Sequence, residues 1–318
     1  MSAQVHSAVV VGEALVDIVA SGGGERSIPG GSPLNVAVGL ARLGVDTELL
    51  AELGEDAPGD LVRRHLAASA VGVEHVSRVP ATATARATIL QNGSAEYDFS
   101  LSWTLDGSSV APPSDLLHVG SIGSWLQPGA SRVLDIMRTR RPGTVGSFDP
   151  NIRASLIGDH ASAKTHIDAL AREVDVVKLS DEDAAWLYPG DSPDSVGDRF
   201  LALGVPLFAM TLGAAGSIVR SAGHTVEQTA LPVQVVDTIG AGDAYMSGLL
   251  FALAAGDLLR GIRSGLGEDA LRWVAELAAA SACVAVGREG ADPPRRGELA
   301  ETIRRLQLQF GDEFHAQP

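Results

Sequence analysis

The sequence predicts an α/β fold: a mostly parallel central sheet with helices on both faces, plus a small β-sheet lid projecting from it. Three observations carry this expectation. Short β-branched runs such as SAVVVG (7–12) are apolar throughout, as strands covered on both faces must be. Longer helical patterns alternate with them, the order of a parallel sheet. Two segments, 15–31 and 85–101, break the alternation with extended runs and no helix to cover their second face.

The elements follow in order. After strand 7–12, SPLNVAVGLARLG (32–44) predicts a helix with Ser32 as N-cap, Pro33 in the first turn and Gly44 as the stop. DTELLAELG (46–54) predicts one strand, and DAPGDLVRRHLAAS a capped helix. Further strands are predicted at 115–121, 143–150, 174–180 and 205–213. Helices are predicted at 129–140, 160–172, 181–188, 241–255 and 268–286. The extended run and glycine turn of LVDIVASGGGERSIPGG (15–31), and the Asn92-Gly93 turn inside 85–101, each predict a hairpin. Together they read as a flap that closes over a site, although two surface hairpins would leave the same trace. The whole chain, 1–318, is expected to be one domain, with a lid sub-domain from 13–30 and 79–109.

Composition narrows the function. A chain of 318 residues, 45% hydrophobic, can build one large core. Its net charge of −15 argues against nucleic acid or an anionic membrane as the main partner. A single cysteine, Cys283, excludes an internal disulfide and suits a reducing compartment; it lies in an apolar helix and reads as core. The first residues lack the basic flank of a signal peptide, and no run is long enough to span a bilayer. A cytoplasmic protein is expected. The eight histidines show no metal spacing, and His118, at the end of an apolar strand, reads as a core histidine.

Common nucleotide fingerprints are missing. The only lysines are Lys164 and Lys178, and neither follows a glycine loop; the first strand is followed by one glycine, not three. Chemistry concentrates instead in VDTIGAGDAYMSG (236–248). A helix starting near Ala241 would leave its first N–H groups unpaired at the positive end of its dipole. Gly240 and Gly242 would let an anion approach that backbone. Asp243 would then hold a carboxylate beside an anion hole, where it can take a proton from a hydroxyl attacking phosphorus. The residues alone equally allow Asp243 merely to complement the dipole.

DTIGAGDAYMSG resembles the C-terminal signature of the ribokinase-like (PfkB) sugar kinases, and PGGSPLNVAVGLARLG (29–44) resembles their N-terminal one. The resemblance runs in order along most of the chain. It implies Asp243 as catalytic base and the amides of Ile239, Gly240, Ala241 and Gly242 as the anion hole. Asp17, Gly30, Gly31 and Asn35 are then the sugar site, with Arg153 of DPNIR near phosphate oxygens. A carboxylate can accept from two neighbouring hydroxyls, and an amide can both donate and accept. VVKLSDEDAAWL (176–187) is similar to a stretch that often carries N-x-x-E, linked to Mg²⁺; here Ser180 and Asp183 stand at those positions, so a water-mediated role for Asp183 is implied. Lys178, Ser180, Thr211, Gly213 and Gly216 fall on the implied ATP side, TLGAAGS (211–217) resembling the family's nucleotide turn. Backbone carbonyls of Asp237, Ile239, Ala285, Arg288 and Gly290 are the implied K⁺ ligands. ATP, Mg²⁺ and K⁺ are thus the expected cofactors, and a homodimer paired through the lid the expected assembly.

Among acceptors, GEALVDIV, HVGSIG and FDPNIR look most like the fructokinase branch. A 2-keto-3-deoxygluconate kinase would carry an arginine on the flap for the substrate carboxylate. FSLSWTL (99–105) places Leu101 there, and a carboxylate without its cation binds poorly in a dry pocket. A neutral sugar is favoured; ribokinase and nucleoside kinase specificities, and a non-catalytic sugar or nucleotide sensor, are the alternatives. An intact G-A-G-D argues against the sensor. The flap aromatics Tyr97, Phe99 and Trp103 could stack on a ligand or simply pack the flap.

Overall fold

The computed structural model describes residues 6–21, 24–89, 95–105 and 110–310. In order, the chain runs β1 (Ser7–Val11), β2 (Leu15–Ser21), β3 (Gly24–Gly30), α1 (Ser32–Leu43), β4 (Asp46–Leu50), β5 (Glu52–Gly54), α2 (Ala57–Ala68), β6 (Ser77–Val79), β7 (Ala83–Ile89) and β8 (Ala95–Ser100). There follow β9 (Leu116–Gly120), α3 (Gly129–Arg138), β10 (Val145–Asp149), α4 (His160–Ala171), β11 (Val176–Ser180), α5 (Asp181–Leu187), α6 (Pro193–Ala202) and β12 (Leu207–Thr211). The last elements are β13 (Ser217–Ser221), β14 (His224–Gln228), α7 (Ala241–Ala255), α8 (Glu268–Val286) and α9 (Arg296–Phe310).

The central sheet has the order β14-β13-β12-β11-β10-β9-β1-β4. From β12 to β4 every pairing is parallel; β13 and β14 add an antiparallel edge. Val10, Leu116, Val145 and Val176 face one core with α1, α7, α8 and α9. Val9, Leu117, Phe148 and Val177 face the other with α3 to α6. Burial on both faces is why these strands carry no polar alternation.

α7 is apolar nearly all round, as a helix enclosed by neighbours must be. It packs on α1 and α8 at close range. A Cβ on Gly39 would lie 2.3 Å from the Ser247 hydroxyl, and one on Gly248 2.6 Å from Ser281 Cβ. These contacts hold the middle of α7 against the second half of α1 and against α8.

A separate four-stranded sheet, β3-β2-β7-β8, joins the two segments that broke the alternation. Its central pair, β2 and β7, runs parallel, flanked by two antiparallel pairings. α2 packs against β2 and β3, so this sheet has a helical neighbour that the sequence did not suggest. The Asn92-Gly93 turn lies outside the described residues.

Other differences are local. The expected strand 46–54 is two strands: β4 closes the edge of the central sheet, and beyond Ala51 the chain pairs with β6. α6, α9 and the β13–β14 hairpin were not anticipated. Pro193 and Gly197 dilute the helical pattern of α6, although Ser192 caps it by accepting from the Ser195 N–H. Ser32 is not the N-cap of α1. Gly31 holds that position with φ 106°, which a side chain resists, and the Ser32 hydroxyl is turned to another task. Gly44 ends the helix in the left-handed region, as expected.

Candidate active site

The site lies where the parallel strands end and α7 begins. Gly240 enters α7 with φ 75°, and a Cβ there would meet Ala291 Cβ at 2.6 Å, so both backbone angle and space require glycine. Among the described residues, the Gly240 and Gly242 N–H groups have no acceptor, as expected of a helix start. Two of the four expected anion-hole amides are otherwise engaged: Ile239 N–H donates to Asp237 Oδ1 at 3.0 Å, and Ala241 N–H to the Thr238 carbonyl at 3.2 Å.

Asp243 is 7% exposed, in the first turn. It does not simply complement the dipole. Ser32 Oγ donates to its Oδ1 at 2.6 Å and Asn35 Nδ2 to its Oδ2 at 2.8 Å. Burial pushes the Asp243 carboxyl up, against those two bonds and the charges of Lys178 and Arg153. The sequence placed Asn35 at the sugar; the structure also makes it a partner of the acid, and adds Ser32, whose role no local rule reveals.

Asp17, on β2, lies directly over Gly30, where a Cβ would fall 2.1 Å from its Oδ2. Gly31 follows, its missing Cβ replaced by close approach of the Glu13 carbonyl, 2.8 Å from the ideal position. Burial raises the Asp17 carboxyl, and Arg153 opposes this. The Arg153 charge also opposes, as the smallest of several causes, the rise of the Asp243 and Glu13 carboxyls. Its Nη1 donates to Asn151 Oδ1 at 2.7 Å, and Asn151 itself has φ 39°. Left-handed backbone occurs here at two non-glycine residues, Ser121 (φ 49°) and Asn151, and at Gly31 and Gly240.

Beneath the anion hole lies a buried ionic group. Lys178 Nζ sits 2.9 Å from Asp149 Oδ2 and 3.0 Å from where a Gly242 Cβ would be. Burial works to lower the Lys178 ammonium, but Asp149, Asp183 and Asp243 together outweigh it and raise it. Burial lifts the Asp149 carboxyl to about 6, and its Oδ1 is buried without a partner. Neither this acid nor Glu13 was singled out in the sequence. Glu13 is 5% exposed, its carboxyl raised by burial to about 7. His118 is a core histidine: its Nδ1 pairs with Ser147 Oγ at 3.0 Å, and burial followed by Lys178 drives it down to about 3.

Of the expected nucleotide side, Ser180 and Thr211 are neighbours in the register of β11 and β12. Ser180 caps α5, accepting from Asp183 N–H at 3.0 Å while Asp183 Oδ2 accepts from Ser180 N–H. Asp183 Oδ1 accepts from Ile152 N–H at 2.7 Å. Gly213 has φ 55°, and Gly216 has φ 106° with the Gln228 carbonyl 2.0 Å from an added Cβ. These glycines are required by the turn itself. The expected cation loop is tied to the anion-hole turn by Asp237, whose Oδ2 accepts from Gly290 N–H at 2.9 Å while its Oδ1 holds Ile239. Trp103 is 3% exposed and packed, not presented to a ligand, and the Tyr97 side chain lies outside the described residues. Leu101 packs with Leu15, Ile122 and Trp125.

A buried carboxylate beside an open helix start, at the carboxyl ends of a parallel sheet, suits transfer of a phosphoryl group to an alcohol. The chain belongs to the pfkB family carbohydrate kinases, matching the family over residues 5–296. It is 33% identical over 288 residues to a fructokinase from Klebsiella pneumoniae, covering 87% of this chain and 91% of that one. It is 30% identical over 306 residues to a fructokinase from Escherichia coli, with 92% and 95% covered. A fructokinase double mutant from Vibrio cholerae O395, bound to fructose, ADP and potassium ion, superposes with TM-score 0.80 at 25% identity over 92% of this chain and 95% of that one. No helix among the described residues is long and apolar enough to cross a membrane.

Proposed function

We propose that this protein is an ATP-dependent fructokinase that transfers the γ-phosphoryl group to a primary hydroxyl of fructose. The observation that carries this reading is Asp243: a buried carboxylate held between Ser32 and Asn35 at the open start of α7. The fructokinases among its relatives supply the acceptor. Asp17 and Asn35 would orient the sugar, and Arg153 would face phosphate oxygens. As the hydroxyl oxygen bonds to the γ-phosphorus, its proton passes to Asp243. The bond from phosphorus to the bridging oxygen breaks, and ADP leaves with the electron pair. The Gly240 and Gly242 amides would stabilise the charge on the phosphoryl oxygens.

Two cations suit the residues present. The unpartnered Asp149 Oδ1 beside Asp183 fits Mg²⁺ held through water, which would neutralise phosphate charge. The Asp237 carboxylate joins Ile239 to Gly290, and the Val236 and Asp237 N–H groups donate to the Val286 carbonyl; bringing together the stretches that carry the carbonyls of Asp237, Ile239, Ala285, Arg288 and Gly290 in this way fits K⁺. Pairing of two copies through the lid sheet belongs to the same reading.

Sugar-dependent ADP release tests it, with fructose, ribose, 2-keto-3-deoxygluconate, adenosine and no acceptor. Fructose is expected to give the highest kcat/KM, because Leu101 and its apolar neighbours offer no cation for an acid. Preference for the acid would remove the fructokinase reading, and ADP release with no acceptor-dependence would remove the kinase reading.

A further inference from the structure

The lid sheet is anchored to the body by carboxylates. Asp56 holds the approach to β7: its Oδ2 accepts from Thr82 N–H at 2.8 Å and its Oδ1 from Thr82 Oγ1 at 2.6 Å. Glu52 holds the departure from β8, accepting from Thr104 Oγ1 at 2.6 Å and Leu105 N–H at 2.8 Å. Both acids sit on the side of β5 and α2, and neither is near Asp243 in the interactions described above.

Glu13 is placed differently. It stands between the end of β1 and the start of β2, four residues before Asp17. Its Oε2 accepts from the Gly123 N–H at 2.8 Å, and the Gly123 carbonyl accepts from the Trp103 indole at 2.8 Å. A single residue, Gly123, thus ties the root of β2 through its N–H to the segment leaving β8 through its carbonyl. Space around it is closed: a Cβ on Gly123 would meet Gly12 Cα at 2.8 Å and Glu13 Oε2 at 3.3 Å. The turn is set by Ser121 at φ 49°, whose carbonyl takes the Ser124 hydroxyl at 2.7 Å. Against the same place lie Gly31, stacked on the Glu13 carbonyl, and Arg153, which acts on both Glu13 and Asp17.

We infer that Glu13 is a positioning residue for the sugar: through Gly123, and together with Trp103, it fixes the two roots of the lid sheet and so the place of Asp17 over Gly30. This rests on the sugar-kinase reading above. A buried acid is costly unless its acceptors are used, and Glu13 spends its carboxyl on this one turn. Fixing β2 at its root sets where the Asp17 carboxylate stands, and errors of about 1 Å in such placement weaken a site strongly.

Steady-state kinetics on fructose and ATP test the inference, using Glu13→Met, Glu13→Gln, Trp103→Phe and the double variant Glu13→Met/Trp103→Phe. The methionine keeps the volume and loses the acceptor; KM for fructose is expected to rise about tenfold, with KM for ATP within about twofold. Glutamine keeps an acceptor for the Gly123 N–H and should recover most of that loss. Trp103→Phe should raise KM for fructose in the same direction. The double variant should cost clearly less than the product of the two single effects, because both act through the one residue Gly123. Amide exchange over 15–21 and 98–105 should rise in Glu13→Met without any sugar present. Equal losses toward fructose and ATP, no rescue by glutamine, or multiplicative effects in the double variant would each overturn the inference. Wild type inert toward every sugar would instead overturn the kinase reading, and the inference with it.

Discussion

The start of α7 and the lid sheet hold the two acids that matter most, and they hold them in opposite ways. Asp243 is buried, receives two side-chain hydrogen bonds, and stands between helices in contact at Gly39 and Gly248. Asp17 is exposed on β2, with the Gly30 backbone behind it. The sheet around it is crossed by exposed ion pairs, Arg86–Glu25 on its own strands and Arg26–Glu289 to the loop before α9. Exposed pairs of this kind contribute about 0–1 kcal/mol each. The proposed base is therefore organised in the protein alone. Asp17, the proposed sugar-binding acid, is only partly desolvated: it is exposed on its strand, yet its surroundings already raise its carboxyl. In that reading the sugar completes the desolvation of Asp17, which would make lid closure dependent on the correct acceptor.

The largest effect tests the organised half. Asp243→Asn keeps the shape and loses the proton acceptor. Its kcat should fall roughly 10²–10⁴-fold, about 3–5 kcal/mol, as for removal of a general base. ATP affinity should change little, because the Gly240 and Gly242 amides belong to the backbone. A kcat within about threefold of wild type would show that the proton goes elsewhere.

The second prediction tests the open half. Fructose should slow amide exchange over 15–21 and 98–105, and ATP alone should not, if closure depends on contacts only the sugar makes. Asp17→Ala should abolish that protection and raise KM for fructose by about tenfold or more. Protection unchanged in the variant would mean that the sheet closes without reading the sugar.

The same contrast explains what could be read from the chain. Asp243 was half legible: a second acid behind Gly240 and Gly242 has no use in a turn, yet the residues alone equally allowed it to complement the helix dipole. The parallel sheet was legible because burial on both faces leaves apolar strands. Glu13 and Asp149 were not: each looks like an acid ending a strand, and only the tertiary structure buries it against Gly123 or Lys178. Ser32 followed a local rule correctly and was still misplaced. A serine before Pro33 reads as a cap, but the backbone at Gly31 can take that position, and Asp243, 211 residues away, claims the hydroxyl. β13 and β14 were missed for a simpler reason, since their turn at Gly223 (φ 80°) lies in a short, mixed stretch. Local signals find elements; long-range partners decide side-chain duties.

The smallest effect probes how far the organised half depends on one hydroxyl. Ser32→Ala removes the donor to Asp243 Oδ1 and leaves Asn35 on Oδ2. A hydrogen bond to a charged group contributes about 1.5–3 kcal/mol to holding that charge. Burial already raises the Asp243 carboxyl, and Ser32 is first among the groups that oppose it. Without the hydroxyl the acid should rise further, so the loss must depend on pH. The base works only when ionised. The variant's kcat should lie closest to wild type at high pH, where both carboxyls are ionised, and fall further below it as pH is lowered. The sign extends to stability. A carboxyl raised in the folded state binds protons that the unfolded chain has already lost, so its contribution is greatest at low pH and declines as pH rises through the folded value. Ser32→Ala should therefore destabilise the protein more at pH 8 than at pH 5, measured as the difference in Tm from wild type. A kcat ratio that stays flat across the whole pH range in which the enzyme is folded would show that Ser32 shapes the site without supporting the charge of Asp243.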